Sequence, residues 1–187
     1  MQERGKIFVI SAPSGTGKTS IIHGFLTGHK EIVYSVSATT RQRRSVEVDG
    51  EDYFFISEEK FKKKIDDHEF LEWEKVYDYY YGTLKRFVEN TINSGKHIVV
   101  EVDVKGALSV KKRYPEAFLV FIDPPSFEEL ESRLKKRNTD NDDDIKKRLQ
   151  RAKMELEEKI NFDYVIVNQN LSTAIEELET YIYNKIQ

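Results

Sequence analysis

Ser11-Ala12-Pro13-Ser14-Gly15-Thr16-Gly17-Lys18-Thr19 meets the phosphate-loop pattern G-x-x-x-x-G-K-[ST] at every fixed position but the first, where Ala12 replaces glycine. Such a loop wraps successive backbone N–H groups around nucleotide phosphates. The helix that follows adds the positive end of its dipole, the lysine a point charge, and the hydroxyl a ligand for Mg2+. Residues 7–10 read as a short buried strand running in, and 19–26 as a helix running out, which is the context the loop requires. The stretch therefore implies a bound nucleoside triphosphate. Ala12, Pro13, Ser14, Gly15, Thr16, Gly17, Lys18, Thr19 and Ser20 lie against its phosphates, with Thr19 toward Mg2+. A turn that binds nothing leaves Lys18 and Thr19 unexplained. Ala12 is tolerable if its φ stays below zero.

Outward from this loop, four more short, β-branched apolar runs occur at 32–37, 98–102, 118–122 and 164–167. Helical stretches between them give the β-α alternation of a doubly wound parallel sheet. A helix over 84–93 is stopped by Asn93-Ser94-Gly95. A closing helix over 172–186 carries Ala174, Ile175, Leu178, Ile182 and Ile186 on one face, with Ser172 as N-cap. Two segments break the rhythm. In 38–82, a turn at 48–51 and a strand over 53–57 suggest a small β-rich lobe, with a helix over 57–67 capped by Ser57. In 126–149, charged helices flank an acidic run, and a helix over 144–160 sets Ile145, Leu149, Ala152, Leu156 and Ile160 in a stripe. Two flaps on such a core suit a reaction that must exclude water from a donor phosphate.

Bulk properties narrow the class. The 187 residues suit one α/β unit with small inserted lobes. A net charge of −3 gives no polyanion footprint, so nucleic acid is not an expected partner. No cysteine is present, which excludes disulfides and thiolate metal sites. No apolar run approaches the roughly 18 residues of a membrane span, and no signal-peptide region precedes residue 7; a cytoplasmic enzyme with no membrane partner is expected.

Ser37-Ala38-Thr39-Thr40-Arg41-Gln42-Arg43-Arg44 places three arginines within four residues just after a strand end. Guanidinium forks match phosphate oxygens, and Tyr53 and Tyr81 can complete such a shell. Pairing with the acids of 47–52 is the plainer alternative. Further on, Glu101 and Asp103 end an apolar strand at alternate positions, on one face at the edge where open α/β sheets bind ligands. Asp103 is open to ligand contact, to orienting Mg2+ through water, or to capping the turn before Gly106. Arg133, Arg137 and Arg148 form a charged pattern for which a helix face of surface arginines paired with Glu128, Glu129 and Glu131 is the plainer alternative. His23, His29, His68 and His97 lack metal-like spacing and receive no role.

The order of motifs—phosphate loop, S-x-T-T-R-x-x-R, D-Y-x-F, E-W, Y-Y-G-T, V-D-x-x-G-A and R-x-x-x-R—resembles the guanylate kinase family over essentially the whole chain. The resemblance implies Mg2+-dependent transfer of the ATP γ-phosphoryl group to GMP. It implies a five-stranded parallel core (1–37, 84–125, 150–187), a GMP-binding lobe (38–83) and a lid (126–149). Arg41, Arg44, Tyr53 and Tyr81 then hold the GMP phosphate, and Ser37, Glu72, Thr83, Glu101 and Asp103 match guanine contacts. Arg137 and Arg148 close over the ATP phosphates, and Asn168 lies near adenine. Lys18, Arg41, Arg137 and Arg148 become the catalytic charges.

Glu72 also has its own chemical argument. Guanine offers N1–H and an amino group side by side, two donors for one carboxylate, whereas adenine presents an acceptor at N1. The acceptor phosphate has a second pKa near 6 and is largely dianionic at neutral pH, so no general base is required. Departures from the family pattern are Ala12, Arg43 and Ser45 in place of proline and glycine, and Asn138 in place of glycine. Arg43 stands ready to share the task of Arg44.

Overall fold

Each apolar run becomes a strand because its residues have nowhere polar to go: all five residues of β1 (Ile7–Ser11) are buried. The structure, a computed structural model, describes residues 3–136 and 142–187. After β1 come α1 (Lys18–Gly28), β2 (Val33–Ser35), β3 (Ala38–Thr39), β4 (Phe54–Phe55), α2 (Glu58–Asp66), β5 (Phe70–Val76) and β6 (Tyr79–Leu84). Then follow α3 (Lys85–Asn93), β7 (Ile98–Glu101), α4 (Val104–Arg113), β8 (Phe118–Asp123), α5 (Phe127–Lys136), α6 (Asp142–Glu157), a 3-10 turn at Glu158–Asn161, β9 (Tyr164–Val167) and α7 (Leu171–Ile186). The five runs form one sheet in the order β2-β7-β1-β8-β9, with β2 parallel to β7 and β8 parallel to β9. A second sheet has the order β4-β3-β6-β5.

The chain divides into two compact units, Met1–Val9 with Glu31–Ala117, and Ile10–Lys30 with Phe118–Gln187. In the first, β2 is shorter than the expected 32–37. The chain leaves the large sheet so that Ala38 and Thr39 can pair with Gly82 and Tyr81 of β6. The expected strand over 53–57 shrinks to Phe54–Phe55, paired with β3. β5 and β6 form a hairpin joined through Tyr77, which adopts φ 55°. Phe61, Phe70 and Ala38 form the core of this part, with Phe61 stacked on Phe70 at 4.3 Å. Ser57 caps α2 as its position suggests, accepting from Lys60 N.

In the second unit α1 buries Ile21, Ile22 and Phe25, and α7 buries Ala174, Leu178, Tyr181 and Ile182. The α7 cap is Asn170 rather than Ser172, because its Oδ1 accepts from both Ser172 N and Thr173 N. Along α6, Ile145 and Ala152 are buried as expected, but Ile160 is 86% exposed. The α-helix stops at Glu157, and the tighter 3-10 turn swings Ile160 off the stripe.

Candidate active site

The phosphate loop leaves β1 at Ser11 and enters α1 at Lys18. Ala12 and Pro13 are buried, while Ser14, Thr19 and Ser20 are exposed. Ala12 keeps a negative φ, so the missing glycine costs no backbone strain. The left-handed work falls to Gly15 (φ 97°) and Gly17 (φ 88°). Gly17 occupies the N-cap of α1 without a side chain, so the first-turn N–H donors are left for a ligand oxygen. Lys18 is the first helical residue and Thr19 the second. The loop is braced internally by Thr16 Oγ1, which donates to Pro13 O at 3.0 Å.

Two side chains hold it from outside. Asn168, buried just after β9, donates from Nδ2 to Thr16 O at 2.6 Å. Arg133 on α5 reaches Thr16 O at 3.5 Å and Asn168 O at 3.2 Å, while its Nε bonds Glu129 at 2.9 Å. The surface pairing of Arg133 with Glu129, the plainer alternative, therefore exists, but its other nitrogens face the loop. Leu134 and Leu130 of α5 pack where a Cβ on Gly15 would stand. They form a small core with Ala152, Phe127 and Leu149. Arg148 lies half-buried on α6, and Arg137 lies outside the described residues.

In the other unit, the arginine loop is organised around Glu47. Arg41 grips it bidentately, Nη2 to Oε1 at 2.7 Å and Nη1 to Oε2 at 3.1 Å. Arg44 donates its backbone N–H to the same carboxylate at 2.8 Å, and Arg43 reaches Glu47 O at 3.2 Å. Arg41 holds the Glu47 carboxyl below its ordinary range. The Arg41 guanidinium lies 5.6 Å from the Tyr53 ring centroid, and Tyr53 meets Tyr81 edge-on at 6.0 Å. Burial pushes the Tyr53 hydroxyl up, so it stays a donor. Arg41, Tyr53 and Tyr81 are thus brought together, and the Arg44 side chain is exposed beside them.

Glu72 and Thr83 sit opposite each other on β5 and β6, past a bulge that shifts the register between Phe70 and Glu72. Glu72 Oε1 accepts from Thr83 Oγ1 at 2.6 Å and Thr83 N at 3.0 Å. Burial pushes its pKa up to about 7, against the pull of Thr83 and helped by the nearby charge of Asp103. A Cβ on Gly106 would stand 2.7 Å from Glu72 Oε2 and 3.1 Å from Asp103 Oδ1, so only glycine lets the two carboxylates converge there. Asp103 caps α4, accepting from Gly106 N at 2.7 Å. This corrects the expected strand alternation: β7 ends at Glu101, and Asp103 belongs to the helix cap. Glu101 accepts from Tyr34 OH at 3.0 Å. Ser37 is half-buried, and its carbonyl accepts from Phe54 N at 2.9 Å.

Among the described residues, no group of three or more His, Asp or Glu side chains is arranged to hold a metal, and no helix is long and apolar enough to cross a membrane. His97 Nδ1 accepts from Lys6 N, and His29 stacks on Phe25. The pairing of Arg41 with Glu47 is the plainer alternative the sequence offered, whereas the Gly106 and Tyr34 contributions and the reach of Arg133 to the loop escape a reading of the sequence. Gly106 alone leaves a trace there, as a glycine in the first turn of a helix, where it has no propensity reason to be.

The sequence model of the guanylate kinase family matches residues 4–185. The guanylate kinase of Thermotoga maritima is 50% identical over 92% of this chain and 84% of its own length. That of Caldanaerobacter subterraneus subsp. tengcongensis is 46% identical over 97% and 88%. A crystal structure of guanylate kinase from Anaplasma phagocytophilum superposes with a TM-score of 0.83 at 27% identity, covering 100% of this chain and 88% of that one. The chain belongs to the guanylate kinase family, the ATP:GMP phosphotransferases.

Proposed function

We propose that the chain transfers the γ-phosphoryl group of ATP to GMP, giving ADP and GDP, by positioning and charge neutralisation without a general base. The observation that carries the acceptor assignment is the buried Glu72 carboxylate, fixed by Thr83 through Oε1 while Oε2 faces the bare backbone of Gly106. A carboxylate so placed accepts N1–H and the amino group of guanine together, and an adenine ring in its place leaves a buried charge unpaired. Asp103, Glu101, Ser37 and Thr83 complete the guanine contacts. Arg41 and Arg44, with the Tyr53 and Tyr81 hydroxyls, take the GMP phosphate, Arg41 exchanging the Glu47 carboxylate for it.

On the donor side the loop 12–20 holds the ATP phosphates, with Lys18 as point charge and Asn168 close by. Arg148 and Arg137 stabilise the charge that spreads over the moving phosphoryl group. The lid (126–149) excludes water from the donor, and the lobe (38–83) carries the acceptor. Thr19 Oγ1 is a single hard oxygen donor at the start of α1, which fits Mg2+: this ion keeps waters and takes most of its remaining ligands from substrate phosphates. When bound it would neutralise negative charge on the donor phosphates. The acceptor phosphate is already largely dianionic at neutral pH, so the protein has no proton to remove. Glu72→Gln tests the reading: kcat/KM for GMP falls at least tenfold while ATP binding is spared. An equal loss for every acceptor, or none, contradicts it.

A further inference from the structure

We infer that Asn168 is a positioning residue that fixes the direction of the Thr16–Gly17 peptide and thereby sets one donor of the phosphate cradle. The inference rests on the reading that residues 12–20 hold the ATP phosphates. A trans peptide is planar, and its C=O and N–H point to opposite sides. The chain contains no cis peptide bond among its described residues. Whatever holds the Thr16 carbonyl outward therefore turns the Gly17 N–H inward, toward the hollow of the loop. Gly17, at φ 88°, is free enough for this peptide to flip, because glycine populates both signs of φ. An unrestrained loop would thus divide its time between two directions of that N–H.

The Asn168 amide removes the choice. Its Nδ2 donates to Thr16 O at 2.6 Å, and the asparagine itself is 6% exposed, so the bond competes with little water. The neighbour is a carbonyl, so the nearer amide atom must be the nitrogen. Asn168 is in turn held by its backbone N–H on Asp123 O at 2.8 Å, and Arg133 bonds the Asn168 carbonyl at 3.2 Å. Gly17 completes the fit: a Cβ there would lie 2.6 Å from Asn168 Nδ2. The buried amide, backed by Arg133 Nη1 at 3.5 Å from the same Thr16 O, thus explains the outward carbonyl, and it adds a steric reason for glycine at position 17 to the positive φ there.

The test separates a clamp from an adenine contact. Asn168→Asp keeps the shape and removes the donor; Asn168→Ala guards against a shape artefact. ATP binding with Mg2+ is measured by calorimetry on the wild-type chain and both variants, and kcat/KM is measured for ATP and for UTP as donors at saturating GMP. The clamp raises the ATP Kd about ten- to hundredfold in both variants, the range set by a lost buried hydrogen bond. It lowers kcat/KM for ATP and UTP by the same factor and leaves the KM for GMP nearly unchanged, while the melting temperature falls by no more than about 10 °C. A fall confined to ATP, so that the ATP:UTP ratio collapses, overturns the clamp in favour of an adenine contact. Equal ATP affinity in wild type and variants also overturns it, while a wild-type chain that binds no ATP overturns the functional reading with it. A parallel loss of melting temperature and GMP affinity in both variants refutes it as a role confined to the loop.

Discussion

Replacing Gly106 by alanine puts a methyl group 2.7 Å from Glu72 Oε2 and 3.1 Å from Asp103 Oδ1. An ordinary contact needs the first distance to grow by about 0.7 Å. The side-chain end moves more easily than the α4 backbone, so the strain falls on the carboxylate. Glu72 Oε1 is held at 2.6 Å and 3.0 Å by Thr83, and a shift of that size breaks the alignment of at least one of these bonds or of the bonds to guanine. A hydrogen bond to a charged group is worth about 1.5–3 kcal/mol. The expected loss in kcat/KM for GMP is therefore roughly ten- to a hundredfold. Stability falls by no more than about 2 kcal/mol, because the gain of up to about 1 kcal/mol that alanine has over glycine in a helix offsets part of the disturbed Thr83 contact. The assay is coupled ADP release with GMP varied at saturating ATP, and with ATP varied at saturating GMP, alongside a thermal melt. A fall under threefold for GMP, or an equal rise in the KM for ATP, refutes the reasoning.

Other outcomes follow from the same geometry. Because burial raises the Glu72 pKa to about 7, GMP affinity falls as pH drops from 8 to 6, approaching tenfold per unit; Glu72→Gln removes this limb and leaves only the ionisation of the GMP phosphate near 6. The stability linkage has the opposite sign: the folded pKa lies above the ordinary 4.5, so this contribution is complete below about 4.5 and is lost as pH rises through 7, which a urea series at fixed pH values measures. Phe61→Ala opens the core under the small sheet and costs about 3–5 kcal/mol, a fall of roughly 10 °C in the melting temperature; a drop of only a degree or two contradicts the packing described.

The large sheet was legible because its strands β1, β7 and β8 are buried on both faces and read as unbroken apolar runs. The phosphate loop was legible because glycine, lysine and threonine at fixed spacing have no other joint explanation. The β5–β6 hairpin was not, since its connection runs Val76-Tyr77-Asp78-Tyr79 without the glycine or asparagine that marks such turns, and Tyr77 takes the positive φ itself. Nor was the bulge before Glu72, because Phe70, Leu71 and Glu72 are buried in succession and break the alternation that identifies a strand. Asp103 stayed open between a strand end and a turn cap, because the two look alike in one dimension. Arg133 illustrates a different limit: its i,i+4 partner Glu129 is visible in the sequence, whereas Thr16 lies 117 residues away.

The most direct measurement is ADP release with ATP and Mg2+ as donor and GMP, AMP, UMP or dTMP offered in turn. GMP alone should support rapid turnover, with AMP lower by at least two orders of magnitude on the order of the discrimination a buried unpaired charge imposes. No GMP-dependent release, or AMP accepted as well as GMP, contradicts the assignment of Glu72 as the guanine reader.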